Sequence, residues 1–239
     1  MRRETQNILL VLLGGALLKI SFTGTYLRYV KPSHKWLLIA GGTVMVVLAA
    51  VSIIREIRGA RAHAAGHDHG HGARSAWLLV LPVLAVFLVG PAALGADSVE
   101  RASGNATAKP STEGAGSELF PPLPAGDPVA LPLNDFSARA AWDKGHSLDN
   151  RRARLTGFIV HEGGDTYVAR LAISCCAADA FPVKIKLLDR QLSNLPDDSW
   201  VEADVTLRPG SATRATEYVP SVTTHTVRRI DQPEDPYEH

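Results

Sequence analysis

The chain has 239 residues, 46% of them apolar, and a formal net charge of only +1. That total hides a split: residues 1–96 hold ten Lys/Arg against three Asp/Glu, whereas residues 97–239 hold fifteen against twenty-one. An acidic half repels phosphate backbones, which excludes nucleic acid as the expected partner, and the asymmetry points to a membrane region joined to a soluble one.

The first element is an apolar run over residues 8–27, interrupted only by Lys19. It follows Arg2 and Arg3 but no small-residue cleavage site succeeds it closely, so an uncleaved helix is expected rather than a signal peptide. A lysine in mid-span costs roughly 3 kcal/mol on insertion scales, so Lys19 is expected to face a membrane partner or to snorkel to an interface. Gly14-Gly15 and Thr23-Gly24-Thr25 are small enough for close helix contact. The second run, residues 36–54, carries no charge. A third, residues 76–94, is also uncharged, with Pro82 and Pro91 expected to kink or shorten it. A hydrocarbon core of ~30 Å needs about twenty apolar residues in a helix, and all three lengths fit.

Between the second and third runs lies the loop 55–75, where His63, His67, His69 and His71 fall close together with Asp68 among them. Imidazoles suit zinc, copper and nickel, and the intervening glycines leave the chain free to wrap an ion. The loop is therefore a candidate site for a divalent transition metal such as zinc, with fast exchange because its spacing imposes no closed tetrahedral cage. A solvated polar loop with a compositional histidine cluster is the bland alternative.

Orientation follows from the basic loops. Arg2, Arg3, Arg55, Arg58, Arg61 and Arg74 on the cytoplasmic side outnumber Arg28, Lys31 and Lys35 outside. Three spans then put everything after residue 96 outside the cytoplasm, where disulfides are permitted.

Residues 97–128 are rich in Gly, Ala, Ser, Thr and Pro and read as a flexible linker. Residues 134–143 read as a short helix capped by Asn134 or Asp135. Period-two alternation then predicts strands over 152–160, 166–174, 181–188, 200–207 and 218–230, with turns at Gly163-Gly164, Pro196-Asp197-Asp198 and Pro209-Gly210. Five strands in about eighty residues suggest a small OB-like barrel over 129–239, with a small sandwich as the alternative.

All the cysteine in the chain stands in one pair, Cys175-Cys176, at the end of the second expected strand. If alternation runs through it, Cys175 faces the barrel interior and Cys176 the outside. Two small hydrophobes, a strained vicinal disulfide, a soft-metal grip with Asp179 or a histidine, and intermolecular pairing all remain open. Cys176 and Asp179 form the candidate functional surface.

"ISCCAADA" followed by a short strand, with N-terminal spans and an OB-like tail, resembles the YcgQ-like family of bacterial membrane proteins, best over residues 129–230. That family is described as the small subunit of a two-component permease. The resemblance implies a bacterial cell-membrane location, a larger polytopic permease subunit as partner and a connection with zinc homeostasis. It brings no catalytic residues. A non-enzymatic permease accessory subunit is thus the first expectation. A membrane-tethered thiol oxidoreductase and a stand-alone anchored binding module are the alternatives. The oxidoreductase lacks C-x-x-C and any βαβ pattern.

Overall fold

The computed structural model describes residues 3–60, 92–101, 120–189 and 194–239. The chain divides into two units, Met1–Ala92 and Ala93–His239.

Among its described residues the first unit contains two α-helices, α1 (Arg3–Phe22) and α2 (Lys35–Ala60). Both are built from Leu, Ile, Val and Ala with few breakers, so nothing in the sequence interrupts the backbone ladder. α1 stops short of the expected residue 27. The Thr23 N–H and hydroxyl both donate to the Lys19 carbonyl, at 3.0 and 2.9 Å, and Gly24 then turns the chain at φ 79°. A left-handed residue cannot continue a right-handed helix, and glycine adopts it without a Cβ penalty. Pro32 opens the short 3-10 turn that leads into α2, a position where its missing N–H costs nothing. The two helices pack on each other through glycine. A Cβ on Gly14 would lie 2.8 Å from the Gly42 carbonyl oxygen, and one on Gly42 would lie 3.0 Å from the Gly14 carbonyl oxygen. Gly14 therefore serves a contact within the chain, while Gly15 and Gly24 meet nothing.

Among the described residues, one helical stretch is long and apolar enough to cross a membrane: Pro32–Arg55, with mean hydropathy 2.6. Gln6–Phe22 is a shorter apolar helix. Most of the third expected span, residues 76–91, lies outside the described residues, as do His63, His67, Asp68, His69 and His71 of the histidine loop.

The second unit is a mixed β-sheet domain. Its elements are the short helix α3 (Ala96–Arg101), β1 (Val129–Ala130), α4 (Leu133–Trp142), β2 (Arg152–Glu162), β3 (Asp165–Ala172), β4 (Phe181–Leu187), β5 (Trp200–Leu207), β6 (Ser221–Arg229) and β7 (Tyr237–Glu238). β2, β3 and β4 form an antiparallel meander, β4 pairs in parallel with β6, β6 runs antiparallel to β5, and β5 returns antiparallel to β2. The pairings of these five strands thus close on themselves. β1 and β7 add parallel to β2 and β3.

β2 makes the closure by changing partner along its length. Arg152–Phe158 pair with β5, and Phe158–Glu162 pair with β3. At the changeover sits Gly157, where a Cβ would lie 2.5 Å from the Ala169 carbonyl oxygen of β3. Isolated glycine inside a strand marks such an approach of two backbones. The β2–β3 turn is Gly163-Gly164, with φ values of 62° and 85°, the signs a tight two-residue hairpin needs.

Two apolar clusters fill the domain. One packs Leu133 and Phe136 of α4 against Leu155, Val168, Ile185, Val201 and Val222. The other gathers Phe158, Val160, Leu171, Trp200 and Tyr237 with Ala96 and Val99 of α3. Residues 96–101, which composition assigns to the edge of the linker, are therefore seated on the domain. The Ala96 N–H donates to Asp198 Oδ1 at 2.7 Å, and the Leu94 N–H to the Tyr237 hydroxyl at 3.2 Å.

The expected cap of α4 is corrected. Its N-cap residue is Pro132, which has no capping side chain, and neither Asn134 nor Asp135 takes that place. The orphan N–H groups of Leu133 and Asn134 donate instead to the two carboxylate oxygens of Glu238, at 2.7 and 2.8 Å. A carboxylate at a helix N-terminus satisfies two donors and meets the positive end of the dipole. Asp135 is engaged with the buried Arg139 guanidinium at 3.1 Å.

Candidate functional site: a cysteine pair held by Asp179

β3 ends at Ala172, and the Ile173 N–H makes one further bond, 2.9 Å, to the Glu238 carbonyl of the C-terminal segment. Beyond it the chain leaves the sheet. Ala177–Asp179 form a single 3-10 turn, after which Phe181 starts β4. This turn brings the Asp179 carboxylate back over the preceding backbone. Its two oxygens accept the Ser174 N–H at 3.0 Å and the Cys175 N–H at 2.8 Å. The Asp179 N–H in turn donates to the Cys176 carbonyl at 3.0 Å. Asp179 is thus fixed by backbone bonds rather than by long side chains, and the loop around the cysteines is closed on itself.

The expected placement of the pair is corrected at this point. Cys175 is exposed and Cys176 is half-buried, and neither is in a disulfide. Alternation holds only while the strand is paired; pairing stops at Ala172, and the last inward residue is Ile173, which is buried. The bend frees the two side chains from opposite faces. Their sulfurs lie 3.7 Å apart, and the ligating atoms of Cys175, Cys176 and Asp179 all fall within 4.8 Å of one another. The surface pair Cys176 and Asp179 therefore gains Cys175 as a third member.

The electrostatics are those of crowded acids. The Asp179 carboxylate, as hydrogen-bond acceptor and as a neighbouring negative charge, pushes the Cys175 thiol up to about 11, with Cys176 adding to it. The same hydrogen bond from Cys175 holds Asp179 below the usual carboxylate range, helped by the backbone N–H groups of residues 174–176. At neutral pH Asp179 is therefore a carboxylate and Cys175 a protonated thiol.

Of the other candidate residues, His63, His67, Asp68, His69 and His71 lie outside the described residues. Lys19 lies in the last turn of α1, on an exposed side. A second feature, not anticipated from the sequence, is a cleft of about 640 Å³ beside the start of α4, bordered by Asn134, Arg154, Arg170, Glu202, Glu238 and His239. Its charges are already engaged. Arg154 pairs with Asp204 at 2.7 Å, and Arg170 donates to the carbonyls of Asp235, Pro236 and Tyr237 at 2.7–3.3 Å. Such long-range pairings leave no mark in a local pattern.

Comparison with known proteins adds little beyond the family. No curated protein matches the chain. Among solved structures, a crystal structure from Leishmania major Friedlin assigned as an aspartyl-tRNA synthetase aligns over 44% of this chain and 21% of that one. The identity is 6% and the TM-score 0.26. The likeness at that level says nothing about function, and the chain spans about a fifth of that protein's length. Residues 5–105 match the DUF1980 N-terminal domain and residues 144–239 match the DUF1980 C-terminal domain, so the two domain models between them take in most of the sequence. The chain belongs to the DUF1980 family.

Proposed function

We propose that this protein is a membrane-anchored, non-enzymatic accessory subunit. Its C-terminal domain is an OB-like barrel on the extracytoplasmic face of a bacterial cell membrane, and its partner is a larger polytopic permease subunit. The observation that carries the reading is the surface of α2. Trp36 is 74% exposed and Leu37 67%, and Val44, Val47, Leu48, Ile54 and Ile57 are exposed as well. Apolar surface costs about 25 cal/mol per Å² in water and nothing in hydrocarbon, so such a helix belongs in a bilayer or against another apolar helix. The five-strand pairing order, a meander whose third strand runs parallel to the fifth, is compatible with an OB-type fold and supports the finer description of the domain. The permease partner comes from the YcgQ-like resemblance, with Lys19 as the contact on α1. The histidine loop, with His63, His67, Asp68, His69 and His71, links the subunit to divalent metal such as zinc.

A thiol-oxidoreductase reading has weaker support. Thiol exchange needs an accessible thiolate, and Asp179 holds Cys175 at about 11, well above a poised nucleophile.

The test is a tag after His239 in a native host. The tagged protein is expected in the membrane fraction, its tag reached by an impermeant reagent in intact cells, and a large polytopic protein is expected to co-purify. A soluble protein, or a cytoplasmic tag, overturns the reading. A membrane protein purified without a partner would mark a stand-alone binding module instead.

A further inference from the structure

We propose that Cys175, Cys176 and Asp179 form an open binding site for a borderline-soft divalent cation of the zinc class, using two thiolates and one carboxylate. The site is distinct from the histidine loop and rests on neither the membrane reading nor the permease partner.

The geometry favours a cation over the alternatives. Two thiolates bound at ~2.3 Å to one tetrahedral ion stand ~3.8 Å apart. The separation here is 3.7 Å. A disulfide would need its sulfurs at ~2.05 Å. The third ligand is held in advance, because Asp179 is clamped by the Ser174 and Cys175 N–H groups. A carboxylate has about four lone-pair directions, and two N–H bonds leave room for an ion. No bulky side chain has to move, since Cys175 and Asp179 are exposed and Cys176 is half-buried. Three anionic ligands on a five-residue turn would repel one another. A divalent charge removes that repulsion.

Three protein ligands leave the fourth tetrahedral position to water or to a ligand from elsewhere. Closed four-ligand sites are structural, whereas three-ligand sites keep one position open. The site is therefore built to present an ion to a fourth ligand, not to staple the fold. Binding follows a simple balance. Each thiol gives its proton to solvent as its sulfur bonds the ion, while Asp179 enters already ionised. About two protons leave per ion, so affinity falls as pH falls.

The experiment uses the purified full-length chain, reduced and in detergent, titrated with Co²⁺ as a spectroscopic stand-in for zinc. Expected are a sulfur-to-cobalt charge-transfer band saturating at one equivalent, its loss on adding Zn²⁺, and release of about two protons per ion. Cys175→Ser and Cys176→Ser should each remove the two-thiolate spectrum. Asp179→Asn should keep the band and weaken binding about tenfold or more. Cobalt held by the histidine loop gives no sulfur band, so that loop cannot mimic the result. Should a cysteine variant fail to fold, the wild type supplies the same answer: Zn²⁺ must protect Cys175 and Cys176 from alkylation, and prior alkylation must abolish the band. A reduced, folded wild type without the band overturns the proposal, as does a band that survives loss of both cysteines.

Discussion

The helical pair and the β domain draw on the same apolar residue types and place them in opposite ways. In α2 the large side chains Trp36, Leu37, Val47 and Leu48 point outward, and glycines line the contact with α1. In the domain, Leu133, Phe136, Leu155, Ile159 and Ile185 are sealed inside, and charged residues such as Arg154, Glu202 and Asp204 lie on the outer faces of β2 and β5. The difference is the one expected if the helical pair sits in hydrocarbon, as proposed above, and the domain in water. Water rewards apolar side chains that leave the surface; hydrocarbon does not, so helices there associate through small residues that let backbones come close. Both units nevertheless share one device, a glycine at the point of closest backbone approach: Gly14 against Gly42 in the helices, Gly157 against Ala169 in the sheet.

The largest effect is expected where that device has no room to relax. Gly157 pairs with Val201 of β5 and its neighbour Phe158 pairs with both β5 and β3, so an added Cβ, 2.5 Å from a backbone oxygen and 2.7 Å from Val168 Cγ1, cannot be avoided by sliding one strand. Gly157→Ala should destabilise the domain by about 3 kcal/mol, the upper end of overpacking costs. Hydrogen exchange of the β2 and β3 amides in the full-length protein should quicken accordingly. Gly14→Ala, in the other unit, should leave those amides untouched. Equal effects from the two substitutions would mean that the units do not unfold separately.

A smaller loss is expected at Glu238, whose carboxylate caps α4 from the far end of the chain. Burial raises its pKa above the usual glutamate value; the two N–H donors, Arg170 at 3.9 Å and His239 all pull downward without overcoming it. A raised folded-state pKa means that its contribution is fully present below the unfolded pKa of about 4.3 and declines as pH rises through the folded value. Glu238→Ala leaves the buried Leu133 N–H and the part-buried Asn134 N–H without their acceptor and should cost about 2 kcal/mol near pH 4, less near pH 7. Asp127, Asp143, Asp179 and Asp204, all lowered, act in the opposite sense, so the wild type itself should lose stability in acid. Urea unfolding of variant and wild type at the two pH values isolates the Glu238 share. A cost that grows toward neutrality would contradict the assigned direction.

How much of this was legible follows from the range of each interaction. The bounds of β2, β4 and β5 fall close to the stretches where apolar and polar residues alternate, and Gly163-Gly164 sits at the hairpin as its residue type demands. Such signals are local: period-two burial and positive φ are written into neighbouring residues. The Glu238 cap joins residues more than a hundred positions apart, and nothing near Leu133 announces it. Gly157 was readable in principle, since a lone glycine within a strand pattern signals close approach. The error at Cys175 has a different source. Alternation describes a strand only while a partner holds it, and the sequence does not mark where β3 loses β4.

That error sets the last and smallest expected effect. Were Cys175 an inward residue of β3, a hydroxyl in its place would be buried without a partner and the domain would melt earlier. It is exposed instead, on a turn whose shape is set by Asp179 and the backbone, and its side chain fills no space in either apolar cluster. Cys175→Ser should therefore leave the urea midpoint of the metal-free protein where it is. Ile173→Ala, two residues earlier on the face that alternation would share with Cys175, should lower it, because Ile173 packs with Leu171, Trp200 and Tyr237. The two substitutions side by side locate the end of the strand without a structure determination. Equal falls would mean that β3 runs on through residue 175 and that its sulfur is core. A fall at Ile173 alone leaves the Cys175 thiol free for chemistry, since the fold then asks nothing of it.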